Sequence, residues 1–482
     1  MYTFSSKLKT FSFILMIIGI LGIGYGFLTA PKNIDEVEKI LASESHGEHH
    51  SEVAKTTEEE IVPVKHDEIV KEVDIIASDS AAAMTDSVKV AEVVPVEKVV
   101  KEKEVSKEDA AAEHKEHLKH VLHQLQNKPW AALYVACIFF MLVSLGALAF
   151  YAIQQVAQAG WSPVLFRVMQ GVTAYLPVGS VIFFVILVLC GLHFNHLFPW
   201  LDPEVVAHDK IIQNKAGYLN FPFWIIRAFV FLLGWNLYRY FSRKNCLAQD
   251  EATDNSFYKK NFNISAMFLV FFIVTESIMS WDWIMSIDPH WFSTLFGWYV
   301  FASFFVSGIT TICMVTLYLK SKGYLENVNS SHIHDLAKFM FGISVFWTYL
   351  WFSQFMLIWY ANIPEEVTYF VTRIEKYNLP FFGAIVMNFV FPILILINTD
   401  FKRITWVLVM AGIVILLGHY IDFFNMIMPS SVGDQWFIGV SEICSVLFFF
   451  GLFIFVVFTA LTKAPLLPKR NPYIEESKHF HY

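Results

Sequence analysis

Ten long apolar runs decide what this chain can fold into. They lie at about 11–28, 131–153, 172–193, 222–241, 263–284, 295–319, 338–361, 381–398, 404–424 and 440–462. One water-soluble core cannot hide ten such runs. In lipid, each run satisfies its own backbone polar groups by coiling into a helix. Lengths of about 18 to 25 residues match the hydrocarbon thickness of a bilayer. The sequence therefore predicts an all-α, polytopic membrane protein with about ten transmembrane helices. Charged residues make up 16% of the chain, below the roughly 25% usual in soluble domains.

The net charge of −8 is unevenly spread, because many of the acids fall in residues 34–116. No clustered basic face suggests a nucleic-acid partner. The five cysteines, Cys137, Cys190, Cys246, Cys313 and Cys444, are widely spaced. They form no haem-attachment, zinc or iron–sulfur motif, so the chain is expected to bind no haem or cluster of its own.

The first run follows Lys7 and Lys9 and is closed by Ala30-Pro31 without an A-x-A site. It reads as a retained helix rather than a cleaved signal. Residues 32–127 are rich in Glu, Lys, Ala, Val and Ser, with almost no aromatics. Such a segment buries too little to fold alone. Its ends, 34–43 and 107–126, read as helical, and its middle as extended or disordered. The expected division is a helix at 1–30, a charged segment at 31–128, four-helix bundles at 129–290 and 291–430, and a last helix with its tail at 431–482.

Alternate loops carry the Lys and Arg: Arg239, Arg243, Lys244, Lys259 and Lys260; Lys320 and Lys322; Lys402 and Arg403; Lys463, Lys469 and Arg470. The loops 285–294 and 425–439 carry none, and 362–380 only Arg373 and Lys376. This bias predicts both termini inside and the charged segment outside. A thin repeat accompanies it. Asp282 near the end of the fifth run is followed seven residues later by Pro289, and Asp422 in the ninth by Pro429.

Ionisable residues within membrane helices are costly and are functional candidates by default. His193, His196, Arg227, Asp282, His419, Asp422 and Glu442 all fall toward the outer side, and Glu276 near mid-depth. A quinol headgroup needs proton acceptors, and His or carboxylate suits that task. Trp224, Trp281, Trp283 and Trp298 could wall its ring. The competing reading makes these residues interfacial anchors or ion-paired packing groups. Glu276, flanked by Thr275 and Ser277, suits a proton relay, or equally a neutral acid hydrogen-bonded within a bundle. The deeper inner half offers mainly hydroxyls: Thr310, Thr311, Thr316, Ser344, Thr348 and Tyr349. His46, His49 and His50, and His114, His117, His120 and His123, invite a metal reading. Spacing by threes rotates successive residues around a helix, so the second group cannot share one site. No metal is expected.

Two stretches carry a resemblance. Trp281-Asp282-Trp283-Ile284-Met285-Ser286-Ile287-Asp288-Pro289-His290-Trp291-Phe292-Ser293-Thr294-Leu295-Phe296-Gly297 and Trp359-Tyr360-Ala361-Asn362-Ile363-Pro364-Glu365-Glu366 resemble the quinone-binding membrane subunits of bacterial alternative complex III, within the NrfD-like (polysulfide-reductase membrane-subunit) superfamily. The N-terminal region looks most like the ActF type. The resemblance covers about 125–465 and the first helix.

It implies two four-helix bundles with peripheral helices. It also implies a place in a menaquinol or quinol:cytochrome c oxidoreductase of the respiratory chain, in the bacterial inner membrane, with no catalysis by this chain alone. The implied partners are multihaem cytochrome c subunits, a large iron–sulfur subunit, a sister NrfD-like subunit, a haem–copper oxidase and membrane lipid. His193 and Asp282 fall where the family's quinol would bind, with Glu276 and Asp282 as proton-transfer candidates. A purely structural scaffold is the second reading. A transporter ranks last, because the repeat is parallel rather than inverted.

Overall fold

The computed structural model describes residues 1–41 and 107–481. The sequence expectations for the middle of the charged segment, His46, His49 and His50 among them, fall outside these residues. Every regular element among the described residues is helical, and ten helices are long and apolar enough to cross a membrane. We number them α1 (Ser6–Thr29), α2 (Lys107–Val156), α3 (Leu176–Gly191), α4 (Phe221–Gln249), α5 (Ser256–Trp283), α6 (Phe296–Ser321), α7 (Ser330–Ala361), α8 (Asn378–Leu396), α9 (Thr405–Val432) and α10 (Val440–Leu461). Contacts separate Asn33–Leu122 from a larger unit, Met1–Lys32 with His123–Tyr482. In the smaller unit, residues 34–41 and the first part of α2 are helical. Everything below concerns the larger unit.

α2 and α6 are its axis. Of their apolar stretches 94% and 89% are buried, against 28% in α1 and α7. Glycines let the two backbones meet: a Cβ on Gly308 would lie 2.5 Å from the Ala147 nitrogen and 2.7 Å from the Gly146 carbonyl carbon. Small residues at such crossings are how membrane helices gain close packing. α4 packs on α3 and α5, while α6 packs on α7 and α9, and α8 on α9. Tyr134 of α2 reaches the Trp283 carbonyl of α5 at 2.7 Å. α5 also packs on α6, so contacts run across as well as within the expected groups α2–α5 and α6–α9. α1 and α10 pair at the periphery through Gly19, Gly22, Gly26 and Gly451.

Prolines shape two helices. Pro392 in α8 has no amide for the Asn388 carbonyl, and a π-turn spans Val386–Val390. Pro429 likewise leaves the Asn425 carbonyl of α9 without its helical donor.

Loops cluster on two faces. On the face carrying most of the Lys and Arg, here the basic face, Thr3 meets Tyr324 at 3.0 Å. The Lys469 amide reaches Asp250 there at 2.9 Å. On the opposite face Lys215 donates to the Pro289 carbonyl at 2.6 Å, Trp291 to Glu366 at 3.2 Å, and Trp436 to Lys376 at 2.8 Å. The N-terminal residues and the segment after α10 share the basic face, as an even number of crossings requires.

Candidate functional site

Asp282 sits one residue before the end of α5, fully buried. Arg227, one and a half turns into α4, grips it: Nε to Oδ2 at 2.6 Å and a terminal nitrogen to Oδ1 at 3.0 Å. Tyr218 donates to Oδ1 at 2.7 Å. The guanidinium lies between the Tyr218 and Phe223 rings, 4.0 and 4.2 Å from their centroids. The α5 carbonyls that lose their helical donors are capped as well: Trp224 and Ser286 donate to the Asp282 carbonyl at 2.9 and 2.7 Å. Such a fork-to-fork pair, with its lone pairs occupied, holds two helix ends together.

Glu276 lies about 9 Å deeper along α5. It is 2% exposed. Ser277 donates to Oε1 at 2.8 Å, and Oε2 has no partner. No ion pair joins it to any described residue.

Asp422 of α9 has a different setting from Asp282. Ser303 and Trp347 donate to Oδ2 at 2.8 and 2.9 Å, and Tyr299 donates to Oδ1. His419, one turn away, shares Ser303 at 2.9 Å, while its Nε2 has no partner. Four helical positions on α6, α7 and α9 thus surround a carboxyl that no Lys or Arg pairs among the described residues.

Asp422 also lines a cavity of about 10 Å³ with Gln354, Asn425, Tyr369 and Arg373. That is room for roughly one water. The Gln354 Nε2 and Asn425 Oδ1 beside it have no protein partner, as expected where water completes the bonding. Tyr369 and Arg373 form the wall shared with a cleft of about 280 Å³ on the opposite face. Asp288, His290, Thr368, Thr372 and Ser430 line that cleft.

Arg373 is itself 3% exposed and stacked on Tyr369, 3.3 Å from its centroid. Its Nε donates to the Asn425 carbonyl at 2.9 Å, the one that Pro429 strands. Burial pulls this guanidinium below its usual range, an effect the neighbouring tyrosines oppose.

The sequence candidates therefore divide. Arg227 and Asp282 come together, as do His419 and Asp422. His193 is exposed, has φ 60°, and ends α3. It shares no hydrogen bond with Asp282, whose side-chain donors are Arg227 and Tyr218. His196 pairs with Asp202 at 3.5 Å on the surface. Glu442 caps α10 through the Gly439 amide at 2.8 Å. Among the described residues no three His, Cys, Asp or Glu side chains form a metal-sized cluster. Trp224, Trp283 and Asp282 pack as core, whereas Trp298 is exposed.

Sequence reasoning missed Tyr218, Tyr299, Ser303 and Trp347, which carry no signal apart from their partners. Arg373 did carry one, as a cation in a loop otherwise nearly free of them. No protein-family model matches the chain, and no curated protein matches it.

Proposed function

We propose that this chain is an integral membrane subunit of a quinol:cytochrome c oxidoreductase of the alternative complex III kind, and that its own part is proton transfer. The subunit identity is supported by the resemblance of residues 281–297 and 359–366, and one observation carries the proton-transfer part. Asp422 and Glu276 are buried carboxyls with no Lys or Arg partner among the described residues, in helices that span the membrane; His419 lies 3.9 Å from Asp422. A buried carboxylate without such a partner is expensive; Glu276 has only the Ser277 hydroxyl beside it, while Asp422 sits among three side-chain donors next to a water-sized space. Asp422 has a water-sized cavity at its side and an open cleft one stacked pair away. Protons leaving Asp422 would cross the Tyr369–Arg373 pair into that cleft.

Quinol binding on this subunit has weaker support, since Asp282 is already paired and His193 shares no hydrogen bond with it. The sister subunit is then the better quinol host. The Lys and Arg bias supports an orientation with the basic face and both termini cytoplasmic, and the resemblance supports a bacterial inner membrane. Electrons would travel through the cytochrome and iron–sulfur partners. A scaffold role remains the second reading, favoured by the closed Arg227–Asp282 pair.

The test is Asp422→Asn and Glu276→Gln, each in the complex purified from native membranes and reconstituted in vesicles. Fewer protons released per electron, at normal complex content, is the expected result. Unchanged proton ratios and turnover in both variants would overturn proton transfer in favour of the scaffold.

A further inference from the structure

A second group of buried polar side chains lies far from Asp282 and Asp422, toward the basic face. Its hub is the Tyr151 hydroxyl of α2, which is 1% exposed as a residue. Gln155, Gln170, Ser242 and Asn261 all approach it, at 3.1, 3.0, 3.2 and 3.3 Å. A phenol oxygen donates once and accepts twice, so four neighbours exceed its capacity. The excess shows around it: Gln155 Oε1, Asn245 Nδ2 and Asn261 Oδ1 are buried and have no protein partner.

All three residues line one cavity of about 10 Å³, the size of a single water. The group ends toward the membrane centre at Tyr238 and Ser265, joined at 2.8 Å, where Phe268 stacks on Tyr238.

The other side of this cavity is closed by the segment after α10. Pro468 and Asn471 form its wall, with Asp250 and Cys246. That segment is tied down at separate points. The Lys469 amide donates to Asp250, which also pairs with Arg167 at 2.6 Å. Arg470 reaches the Ala252 carbonyl. Ser477 donates to the Trp161 carbonyl at 2.7 Å and accepts from the Val164 amide at 3.2 Å. The Lys469 and Arg470 ties are exposed, and hydrogen bonds near solvent open at lower cost than core packing, whereas Ser477 is buried and anchors the far end of the segment.

We propose that the Tyr151 cluster is a water-entry vestibule and that residues 463–473 are the lid that closes it, hinged on the turn at 474–477, where Ile474 and Ser477 are buried. Lifting the lid would hydrate the unpartnered amides and join them to the solution at the basic face. The use of this entry by protons rests on the function proposed above, but the lidded vestibule does not.

Cys246 in the cavity wall is a native reporter. The full chain, purified in lipid nanodiscs, is treated with a hydrophilic maleimide, and a Cys246→Ser variant identifies the Cys246 signal among the five cysteines. Slow labelling is expected in the unaltered chain. The Arg470→Ala variant, which removes an exposed tie, should label about threefold faster while keeping its thermal transition. Equal rates in the two folded proteins would overturn the lid. Should that variant fail to fold, Pro468→Cys decides: mild oxidation is expected to cross-link it to Cys246, and failure to cross-link overturns the placement of the lid. Neither readout involves electron or proton transfer, so each is independent of the proposed function.

Discussion

Arg227 and Asp282 face each other as a fork, with two near-parallel hydrogen bonds of 2.6 and 3.0 Å across the α4–α5 contact. Both side chains are almost completely shielded, 9% and 0% exposed. Removing one member strands the other charge in the bundle, which costs about 3–5 kcal/mol. Asp282→Asn and Arg227→Gln should each lower the thermal transition in detergent sharply. The double variant leaves no lone charge and should recover much of the loss. A double variant as unstable as the sum of the singles would show that the pair acts as two separate groups.

Arg373 answers Pro429. The proline removes the amide that would satisfy the Asn425 carbonyl, and Arg373 supplies a donor at 2.9 Å. Arg373→Ala should therefore cost about 1.5–3 kcal/mol, the range for a hydrogen bond from a charged donor. In a Pro429→Ala background the restored amide takes over the carbonyl. The same Arg373→Ala change should then cost less, with a coupling of about 1 kcal/mol in a double-mutant cycle. Zero coupling in chemical denaturation would mean that the guanidinium serves something other than the break in α9.

These two arginines mark how far the sequence could be read. The ten spans were legible because bilayer thickness and backbone satisfaction leave a run of apolar residues little alternative. The equal Asp-to-Pro spacing does not carry over to the helices, since Pro289 follows the end of α5 whereas Pro429 lies inside α9. What each aspartate meets was not legible, since Tyr218, Tyr299, Ser303 and Trp347 lie 64, 123, 119 and 75 residues from their carboxyl partners. Depth along a helix follows from residue number, but which way a side chain faces across a bundle depends on packing. For that reason His193 is exposed while Asp282 is sealed.

On the opposite face, Asp209 joins His290 at 2.5 Å and caps a short helix through the Ile211 and Ile212 amides at 2.8 and 3.2 Å. Partial burial alone would raise its pKa. The Ile212 and Ile211 amides and the His290 imidazole outweigh that and hold the carboxyl below its usual value. A depressed carboxyl contributes stability that is complete above the unfolded value of about 3.9 and is lost as pH falls through the folded one. Amide exchange in residues 203–215 should thus be slower in the unaltered chain than in Asp209→Asn at neutral pH. The gap should close on acidification below about pH 4. A gap that persists in strong acid would rule out ionised Asp209 as its source.

The pairing of α1 with α10 depends on glycine in a way that one methyl group can test. A Cβ on Gly19 would lie 2.5–2.6 Å from the Phe448 Cβ, Cα and nitrogen. Most of that obstacle is backbone, which cannot rotate aside, so Gly19→Ala must push the helices apart. Gly24, one turn further along α1, has nothing within 4 Å of its own virtual Cβ. Alanine has the better helix propensity, by about 1 kcal/mol, so on local grounds both changes should help. Packing reverses the sign at Gly19 alone, where overfilling a tight contact costs about 1–3 kcal/mol. The expected outcome is a lowered thermal transition for Gly19→Ala and an unchanged or raised one for Gly24→Ala. Equal responses would mean that the two helices meet through another face, since only a close approach at Gly19 separates the two positions.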